Sequence, residues 1–288
     1  MLELARNIVQ LQKAEELLEE VIIVNNASNM DYSEVKSFIE QTPSIPFRFI
    51  DSPENLGVAR GRNFALQQGS APFVIMLDDD AILQNEDALV NLLEAFSTPA
   101  EGRPVAIISF KVLYYDTLEI QVNAFPHKKF SSYHNKPFFL TYYYAGGAHA
   151  IRREVLDRTG SYPVDFFYGM EEYDLSYRIL DAGYSIVYSN TVVMLHKESP
   201  LGRKTKKEKM SMLWVNKSKV AWRYLPLIYF FSTSVLWSFE YLGKTGFDLW
   251  GWCKGWLEII RIPASEKRTT VKQSTLAYLT SVEARLWY

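Results

Sequence analysis

Five apolar residues, Phe73–Leu77, run directly into three consecutive aspartates, Asp78, Asp79 and Asp80. An unbroken apolar run of this kind is typical of a strand covered on both faces, as in a parallel sheet. Ligands of open α/β sheets bind outside the carboxyl ends of the strands, where these aspartates stand. Adjacent carboxylates repel one another unless a cation or solvent offsets their charge. The segment therefore predicts either a site for Mg²⁺ or Mn²⁺ with substrate phosphates, or a solvated acidic turn that caps the next helix.

The chain around this segment alternates predicted strands and helices. Short apolar runs predict strands at Val21–Val24, Phe47–Ile50, Val105–Val112, Ser185–Tyr188 and Val192–Leu195. Helical spacing and end signals predict helices over residues 2–20, 62–68, 85–96, 152–158 and 171–182, the last ending at Gly183. Residues 113–145 read as irregular strands and loops. The expected fold class is α/β, with a mostly parallel sheet flanked by helices.

The composition changes after His196, and we place a domain boundary near residue 200. Between Lys197 and Arg223 the sequence contains nine Lys or Arg residues and two Glu, and aromatic residues dominate the stretch that follows. We expect a catalytic domain over residues 1–200 and a basic, aromatic, α-helical extension over residues 201–288. Basic residues beside Trp, Tyr and Leu suit an anionic membrane surface. A helical cap on the catalytic domain or a dimer surface would use the same residue types.

Charge and cysteine content exclude several classes of protein. A formal net charge of −2 at pH 7 argues against a dedicated nucleic-acid-binding protein, which usually has a basic domain. The single cysteine, Cys253, excludes a disulfide framework and a zinc cluster, and fits a reducing, cytoplasmic compartment. Residues 1–20 lack the apolar core of a signal peptide. The apolar stretch Leu225–Phe239 is too short for a confident transmembrane helix and contains a proline.

Further polar residues stand where a strand ends or a helix begins. His196 ends a predicted strand, where an imidazole binds a metal or a phosphate, or has a structural role. Glu171 and Glu172 begin a predicted helix. Their negative charges either interact favourably with the helix dipole, or one of them is a general base for an acceptor hydroxyl. Asp174 lies four residues before Arg178, and we expect the two to pair.

Two arginines, Arg60 and Arg62, flank Gly61 near the start of a predicted helix. A guanidinium in this position binds a diphosphate, or simply begins an exposed helix. A nucleotidyltransferase is an alternative α/β enzyme with an acidic metal site. It should carry a basic, glycine-rich phosphate loop just after its first strand, and no such loop is present in this sequence.

The order of these segments resembles that of the family 2 glycosyltransferases, which have the GT-A fold. The resemblance covers roughly residues 5–197, and the matching segments read VIIVNNAS, ENLGVARGRN, FVIMLDDDA, AGGAHAIRREV, TGSYPVDFFYGMEEYDLSYRILDAGY and VVMLH. It implies an inverting enzyme of cell-surface polysaccharide synthesis that uses a UDP- or dTDP-sugar and Mg²⁺ or Mn²⁺. The implied acceptor is a saccharide or lipid-linked saccharide at the inner face of the cell membrane.

The resemblance also implies donor and metal roles for individual residues. Asp78 and Asp80 match the ends of a DxD motif around Asp79, with Asp80 on the metal and Asp78 near the ribose and the metal. His196 matches a histidine that joins the metal or diphosphate site. The other implied donor-binding residues are Asn25 at the nucleotide base, Arg62 with the nearby Arg60 at the diphosphate, and Gly146 and Gly147 beside the donor sugar and acceptor.

Glu171 and Glu172 align with a Glu-Asp pair of the family, whose second member acts as the base. Glu172 is therefore the expected catalytic base, with Glu171 beside it. The sequence departs from the family at Glu172, where Asp is usual, and at Asn25, where Asp is also common. An inactive, glycosyltransferase-like binding protein is the remaining alternative.

Family members also begin with a strand and a Tyr-Asn turn that have no counterpart in this sequence. That strand would lie between Val21–Val24 and Phe73–Leu77. Three expectations are open: the sequence is incomplete at its start, another segment takes the place of this strand, or backbone groups between the two strands stay unpaired and an incomplete pocket for the nucleotide base binds the donor poorly.

Overall fold

The computed structural model describes residues 1–198 and 205–287. The first ten elements, up to Tyr114, are a mixture of helices and strands. These are α1 (Leu2–Val9), α2 (Ala14–Leu17), β1 (Val21–Asn25), α3 (Ser33–Glu40), β2 (Phe47–Asp51), α4 (Gly57–Gln67), β3 (Phe73–Leu77), β4 (Ala81–Leu83), α5 (Ala88–Ser97) and β5 (Val105–Tyr114).

The second half completes the sheet and then becomes helical. A short 3₁₀ turn at Val122–Ala124 precedes the next elements. These are α6 (Phe130–Tyr133), β6 (Phe138–Thr141), β7 (Ala148–Arg152), α7 (Arg153–Thr159), α8 (Glu171–Asp181), β8 (Ser185–His196), α9 (Lys206–Tyr224), α10 (Leu227–Thr245), α11 (Leu249–Ser265) and α12 (Gln273–Ser281).

The larger sheet contains six strands in the order β3-β7-β5-β8-β4, with β6 also paired to β8. Strands β3 and β5 both run antiparallel to β7, and β8 runs parallel to β5, so β3, β5 and β8 share one direction. Ile107, Ile108 and Phe110 of β5 are fully buried, because the two faces of this central strand pack into two hydrophobic clusters. The long β8 replaces the two short strands predicted there, and its pairing with β5 shifts register between them.

The smaller sheet consists of β1 and β2, which pair in parallel. Within the residues that the structure describes, no strand pairs with the second edge of β1 or of β3. This split lies where the unmatched family strand was expected. All five residues of β3 are half-buried, and the strand has one unpaired edge. Both of its faces are covered, as predicted, since Val74 and Met76 pack against one hydrophobic cluster and Phe73, Ile75 and Leu77 against another. Glu20 links the segments that precede β1 and β3, and so joins the two sheets. Its Oε1 accepts hydrogen bonds from Ser70 N at 2.6 Å and Ala71 N at 3.2 Å.

The predicted single helix over residues 2–20 is divided into α1 and α2. Lys13 has a positive φ of 59°, and the chain turns there. The turn brings Leu11 and Ala14 into one hydrophobic cluster with residues of β5 and α5.

Helices α9–α12 pack against the α/β layer and share its hydrophobic core. The fully buried Trp214 belongs to the same cluster as Leu175 of α8 and Ile107 of β5. The core therefore runs across residue 200 without a break, and the proposed boundary divides the composition of the chain more than its packing. None of the helices in the described residues is long and apolar enough to cross a membrane.

Candidate active site

The aspartates after β3 meet His196 because β4 pairs antiparallel with the end of β8. Ala81 lies opposite His196 in this register, so Asp80 is carried to the imidazole. His196 Nε2 is 3.3 Å from Asp80 Oδ1, and His196 Nδ1 is 2.9 Å from Gln121 Oε1. One ligand atom each from Asp78, Asp80 and His196 lie within 4.8 Å of one another. The predicted metal residues are thus brought together, while Asp79 is exposed and stands outside this group.

The electrostatics of this cluster suit a cation. Asp78 is exposed on one side, and the protein packed around its other sides raises the pKa of its carboxyl by desolvation. Asp80 and Asp79 raise the pKa of Asp78 further, and Arg62 and His196 oppose them. The hydrogen bond to Asp80 raises the pKa of His196. Two carboxylates and an imidazole are suitable ligands for a divalent metal, and a bound cation would relieve the repulsion between the aspartates.

A second charged cluster lies at the start of α8, where Glu171 and Glu172 meet Arg62 of α4. Arg62 Nη1 is 2.9 Å from Glu172 Oε1 and 3.2 Å from Glu171 Oε1. Burial alone would lower the pKa of Arg62, but the charges of Glu172 and Glu171 outweigh it and raise this pKa. The guanidinium that was predicted to hold the donor diphosphate therefore holds two carboxylates in this structure.

The two glutamates differ in their surroundings. Only 3% of the Glu171 side chain is exposed, against 16% for Glu172. Burial first, and then the charge of Glu172, raise the pKa of Glu171, although Arg62 opposes them. Glu171 Oε2 is buried and has no hydrogen-bond partner among the described residues. The raised pKa favours a protonated Glu171, and Glu172 is the more exposed of the two carboxylates.

The turn at Gly146 and Gly147 separates the two clusters. A Cβ atom at Gly146 would overlap Glu172 Oε1, and one at Gly147 would overlap the Asp78 carboxylate. A backbone hydrogen bond holds the turn to the end of β3, because Asp78 N donates to Gly147 O at 3.2 Å. Two adjacent residues without side chains thus let the glutamate and the aspartate approach the same stretch of backbone from different sides.

Two of the predicted donor residues lie outside both clusters. Arg60 is exposed, and its Nη2 is 2.6 Å from Glu54 Oε1. Asn25 ends β1, where its Nδ2 donates to Asp51 Oδ1 at 2.9 Å and its Oδ1 accepts from Ser28 N at 2.8 Å. The structure gives Asn25 a role in shaping this turn, and its role at the nucleotide base stays a prediction. The expected pair of Asp174 with Arg178 is present, at 2.7 Å.

The structure adds residues that the sequence patterns did not indicate. Gln121 holds His196 from a 3₁₀ turn 75 residues away. The fully buried His149 of β7 is 3.1 Å from Ala145 O and 3.0 Å from Tyr162 Oη, so it supports the glycine turn. Burial, and then the charge of Arg62, lower the pKa of His149 to about 3, so this imidazole is neutral. The sequence patterns did not predict strand β7. Without that strand, nothing in the sequence indicated that His149 would be buried beside the glycine turn.

Residues 2–160 of the chain match the model of glycosyl transferase family 2. An uncharacterised protein of Haemophilus influenzae is 30% identical over 148 residues, which are 51% of this chain and 77% of the relative.

Solved structures share the fold over almost the whole chain. The mannosyltransferase PcManGT from Pyrobaculum calidifontis, in complex with GDP-Man and Mn²⁺, is 19% identical with a TM-score of 0.55, over 99% of this chain and 76% of that one. TarS residues 1–349 from S. aureus, in complex with UDP-GlcNAc, is 14% identical with a TM-score of 0.59, over 99% and 84% of the two chains. GalNAc-T7 with UDP, GalNAc and Mn²⁺ is 14% identical with a TM-score of 0.62, over 98% and 55%.

At these identities the likeness is one of fold, and the fold is GT-A. The family match covers more than half of the chain and includes β3, the three aspartates, Arg62 and the glycine turn. The chain belongs to glycosyl transferase family 2.

Proposed function

We propose that this protein is an inverting, metal-dependent glycosyltransferase that moves a sugar from a nucleotide-diphospho-sugar to an acceptor hydroxyl. The observation that carries the proposal is the glycine turn, with Glu172 against Gly146 and Asp78 against Gly147. A donor sugar placed over this turn has the base on one side and the metal residues on the other. A single in-line displacement between two such groups inverts the configuration at the anomeric carbon.

Asp78, Asp80 and His196 would hold the divalent cation, which offsets the negative charge of the departing nucleoside diphosphate. Mg²⁺ prefers oxygen ligands in near-octahedral geometry, so the imidazole in this set favours Mn²⁺. The complexes of PcManGT and GalNAc-T7, which contain Mn²⁺, support this choice.

Glu172 takes the proton from the acceptor hydroxyl as that oxygen attacks the donor. Arg62 orients Glu172, because the guanidinium lies 2.9 Å from its Oε1. Arg62 also meets the donor diphosphate when the donor is bound. Glu171 carries a proton and positions Arg62 without exchanging protons with the acceptor.

The test is a panel of UDP-, dTDP- and GDP-sugars with Mn²⁺ or Mg²⁺. NMR identifies the anomeric configuration of the first product, whether the sugar is released into water or transferred to an acceptor. We expect one donor class to turn over with inversion. Glu172→Gln should bind that nucleotide with Mn²⁺ as the wild type does, and lose turnover by at least about a hundredfold. Exposed Glu16 provides the matched control, Glu16→Gln, which should keep full activity.

Retention of configuration, or an unchanged rate for Glu172→Gln, would reject the proposed mechanism. Binding of nucleotide and Mn²⁺ with no turnover of any donor would favour the inactive binding protein. A nucleotidyltransferase would instead form the nucleotide-sugar from a nucleoside triphosphate and a sugar phosphate.

We further propose that the protein acts at an anionic membrane surface on a lipid-linked saccharide. Helices α10 and α11 expose a continuous apolar face that their own packing leaves uncovered. Its exposed residues include Ile228, Phe231, Val235 and Phe239 on α10, and Phe247, Leu249, Trp250, Leu257 and Ile260 on the turn and α11. An apolar face of this size on a helix pair that does not span a bilayer suits the membrane interface.

Lysines lie beside the most exposed part of this face. Phe247 and Trp250 are each 72% exposed. Lys207 Nζ is 3.7 Å from Asp248 Oδ2, so the basic start of α9 lies next to them. Lys254 Nζ is 5.1 Å from the centre of the Trp250 ring. Lysines around exposed aromatic side chains complement anionic lipid headgroups.

Flotation with liposomes tests this surface. The wild type should float with vesicles that contain phosphatidylglycerol, more at low than at high salt, and less with neutral phosphatidylcholine. Phe247→Ser with Trp250→Ser should stay in the soluble fraction. The control removes two exposed apolar residues elsewhere, Leu118→Ser with Val164→Ser, and should float normally. Flotation of the Phe247/Trp250 variant like the wild type would refute this surface.

A further inference from the structure

Lys217 of α9 is a buried ammonium group without an acidic partner. The residue is only 8% exposed, and no ion pair or hydrogen bond of its Nζ is present in the described part of the chain. Instead, Nζ lies 4.8 Å from the ring centre of Trp237 and 5.4 Å from that of Tyr173. Cation–π contacts offset part of the cost of burying a charge, but they supply no counter-charge.

A second cation lies close to Lys217. Arg285 is exposed, and its side chain makes no ion pair with any residue that the structure describes. Burial first, and then the charge of Arg285, lower the pKa of Lys217 to about 7. Two neighbouring positive groups without an anion destabilise each other, and a bound anion would remove that cost.

The position of this cationic pair connects it to the base. Tyr173 follows Glu172 in α8 and stacks on Tyr143, with ring centres 4.9 Å apart and an interplanar angle of 12°. Tyr143 lies three residues before Gly146, the residue against which Glu172 rests. Asn216, next to Lys217, donates to Tyr168 O at 3.1 Å, just before α8 begins. Lys217 is thus connected to the start of α8, where Glu172 lies, through Tyr173 and Asn216.

We propose that Lys217 and Arg285 bind an anionic group of the acceptor, a phosphate or a carboxylate, and so place the attacking hydroxyl at Glu172. The proposal rests on the proposed glycosyl transfer, in which Asp78, Asp80 and His196 face the donor. The half-buried rings of Tyr143 and Tyr173 provide an apolar surface for the acceptor sugar between the anion and the base.

The other titratable groups around Lys217 do not change charge near neutral pH. Burial raises the pKa of Tyr142 to about 12 and raises that of Tyr143 and Tyr173 further. A bound anion favours the charged form of Lys217, so binding near pH 7.5 should take up a proton at this residue alone.

Calorimetry of the full chain tests the site with three probes, glucose 1-phosphate, glucuronate and methyl glucoside, in the presence of UDP and Mn²⁺. At least one anionic probe should bind about tenfold more tightly than methyl glucoside. Titrations in buffers of different ionisation enthalpy should show proton uptake on binding. Tighter binding of glucose 1-phosphate indicates a phosphate on the acceptor, and tighter binding of glucuronate indicates a carboxylate.

Lys217→Met should lose about tenfold in affinity for that probe, and should lose the proton uptake. Arg285→Gln, an exposed change that does not endanger folding, should weaken the same probe. It should also reduce the proton uptake without abolishing it, because loss of the Arg285 charge raises the pKa of Lys217 while burial still lowers it. Lys206→Met alters an exposed lysine of the same helix and should behave as the wild type. Equal affinity for the anionic and neutral probes, or wild-type binding by Lys217→Met, would overturn the proposal. A separate titration with UDP and Mn²⁺ reports on the donor site, so failure of the proposed transfer would be recognised independently.

Discussion

At the scale of single residues, the site depends on what is missing from Gly147. A Cβ atom there would overlap the Asp78 carboxylate, which is the end of a side chain that can rotate away. We expect Gly147→Ala to fold, and to weaken Mn²⁺-dependent binding of nucleotide by about 10–100-fold because Asp78 is displaced from the metal site. Thermal shift with UDP and Mn²⁺ measures the loss. Gly243 of α10 has open space around its Cβ position, so Gly243→Ala should bind normally.

Glu171 gives the stability of the protein a pH dependence of known sign. Folding raises the pKa of this carboxyl, so the folded chain binds the proton more tightly than the unfolded chain. Its contribution to stability is complete below the ordinary carboxyl pKa and is lost as the pH rises towards the raised value. Glu171→Gln carries no ionisable proton and avoids that loss.

We therefore expect the free energy of unfolding of Glu171→Gln, relative to the wild type, to increase from about pH 5 upwards. The slope is at most about 1.4 kcal/mol per pH unit. Urea unfolding at several pH values measures it, with exposed Glu16→Gln as the control. A difference that stays constant with pH would show that Glu171 is ionised throughout.

At the scale of elements, Glu20 links the smaller sheet to the larger one, just before β1 and β3 begin. Its carboxylate accepts two backbone hydrogen bonds and is 3.6 Å from Arg48 Nη1. Glu20→Ala leaves both amides without this acceptor and should destabilise the fold by about 1–3 kcal/mol. The neighbouring Glu19 is exposed, and Glu19→Ala should change the unfolding free energy by less than about 0.5 kcal/mol. Equal effects of the two changes in urea unfolding would show that the link contributes nothing.

Elements with strong local signals were predicted well, and those that depend on distant partners were not. The apolar run of β3 and the helix α8 with its stop at Gly183 are encoded in a few neighbouring residues, and both are present. Strand β7, with the sequence AHAIR, carries His149 and Arg152 and has no apolar alternation. It becomes a strand because β3 and β5 pair with both of its edges.

The same limit applies to the site. Asp78, Asp80 and His196 could be found because each stands at a strand end. The contact of Arg62 with Glu172 joins residues 110 positions apart, and no local pattern indicates it. Lys217 lies in a run of lysines and reads as a solvent-exposed charge, although the packing of α9 and α10 buries it.

At the scale of the whole molecule, Asp174 connects the α/β layer to the C-terminal helices. This buried carboxylate pairs with Arg178 of its own helix, and with Arg223 Nη1 at 2.9 Å and Tyr224 Oη at 3.0 Å from α9. With a hydrophobic core that also crosses residue 200, the chain should unfold in one transition. All seven tryptophans lie after residue 200, so tryptophan fluorescence reports on the helices. Loss of binding of the nucleotide that the donor panel identifies reports on the residues before them.

We expect the two signals to change together, and Asp174→Asn to move both to lower denaturant concentration by a loss of about 3–5 kcal/mol. Exposed Asp157 has no such contacts, and Asp157→Asn should leave both midpoints in place. Separate midpoints would establish two independently folding domains with a boundary near residue 200.

The shared use of Arg62 has a consequence for the order of events in turnover. Without a donor, the guanidinium is held by Glu171 and Glu172. An arriving diphosphate competes for it, and each contact that Arg62 gives to phosphate is withdrawn from Glu172. Under the proposed mechanism, the base is then free for an acceptor hydroxyl only when a donor is bound, so we expect compulsory-order kinetics with the donor as leading substrate. Such an order would keep water and acceptor from being activated in an empty enzyme.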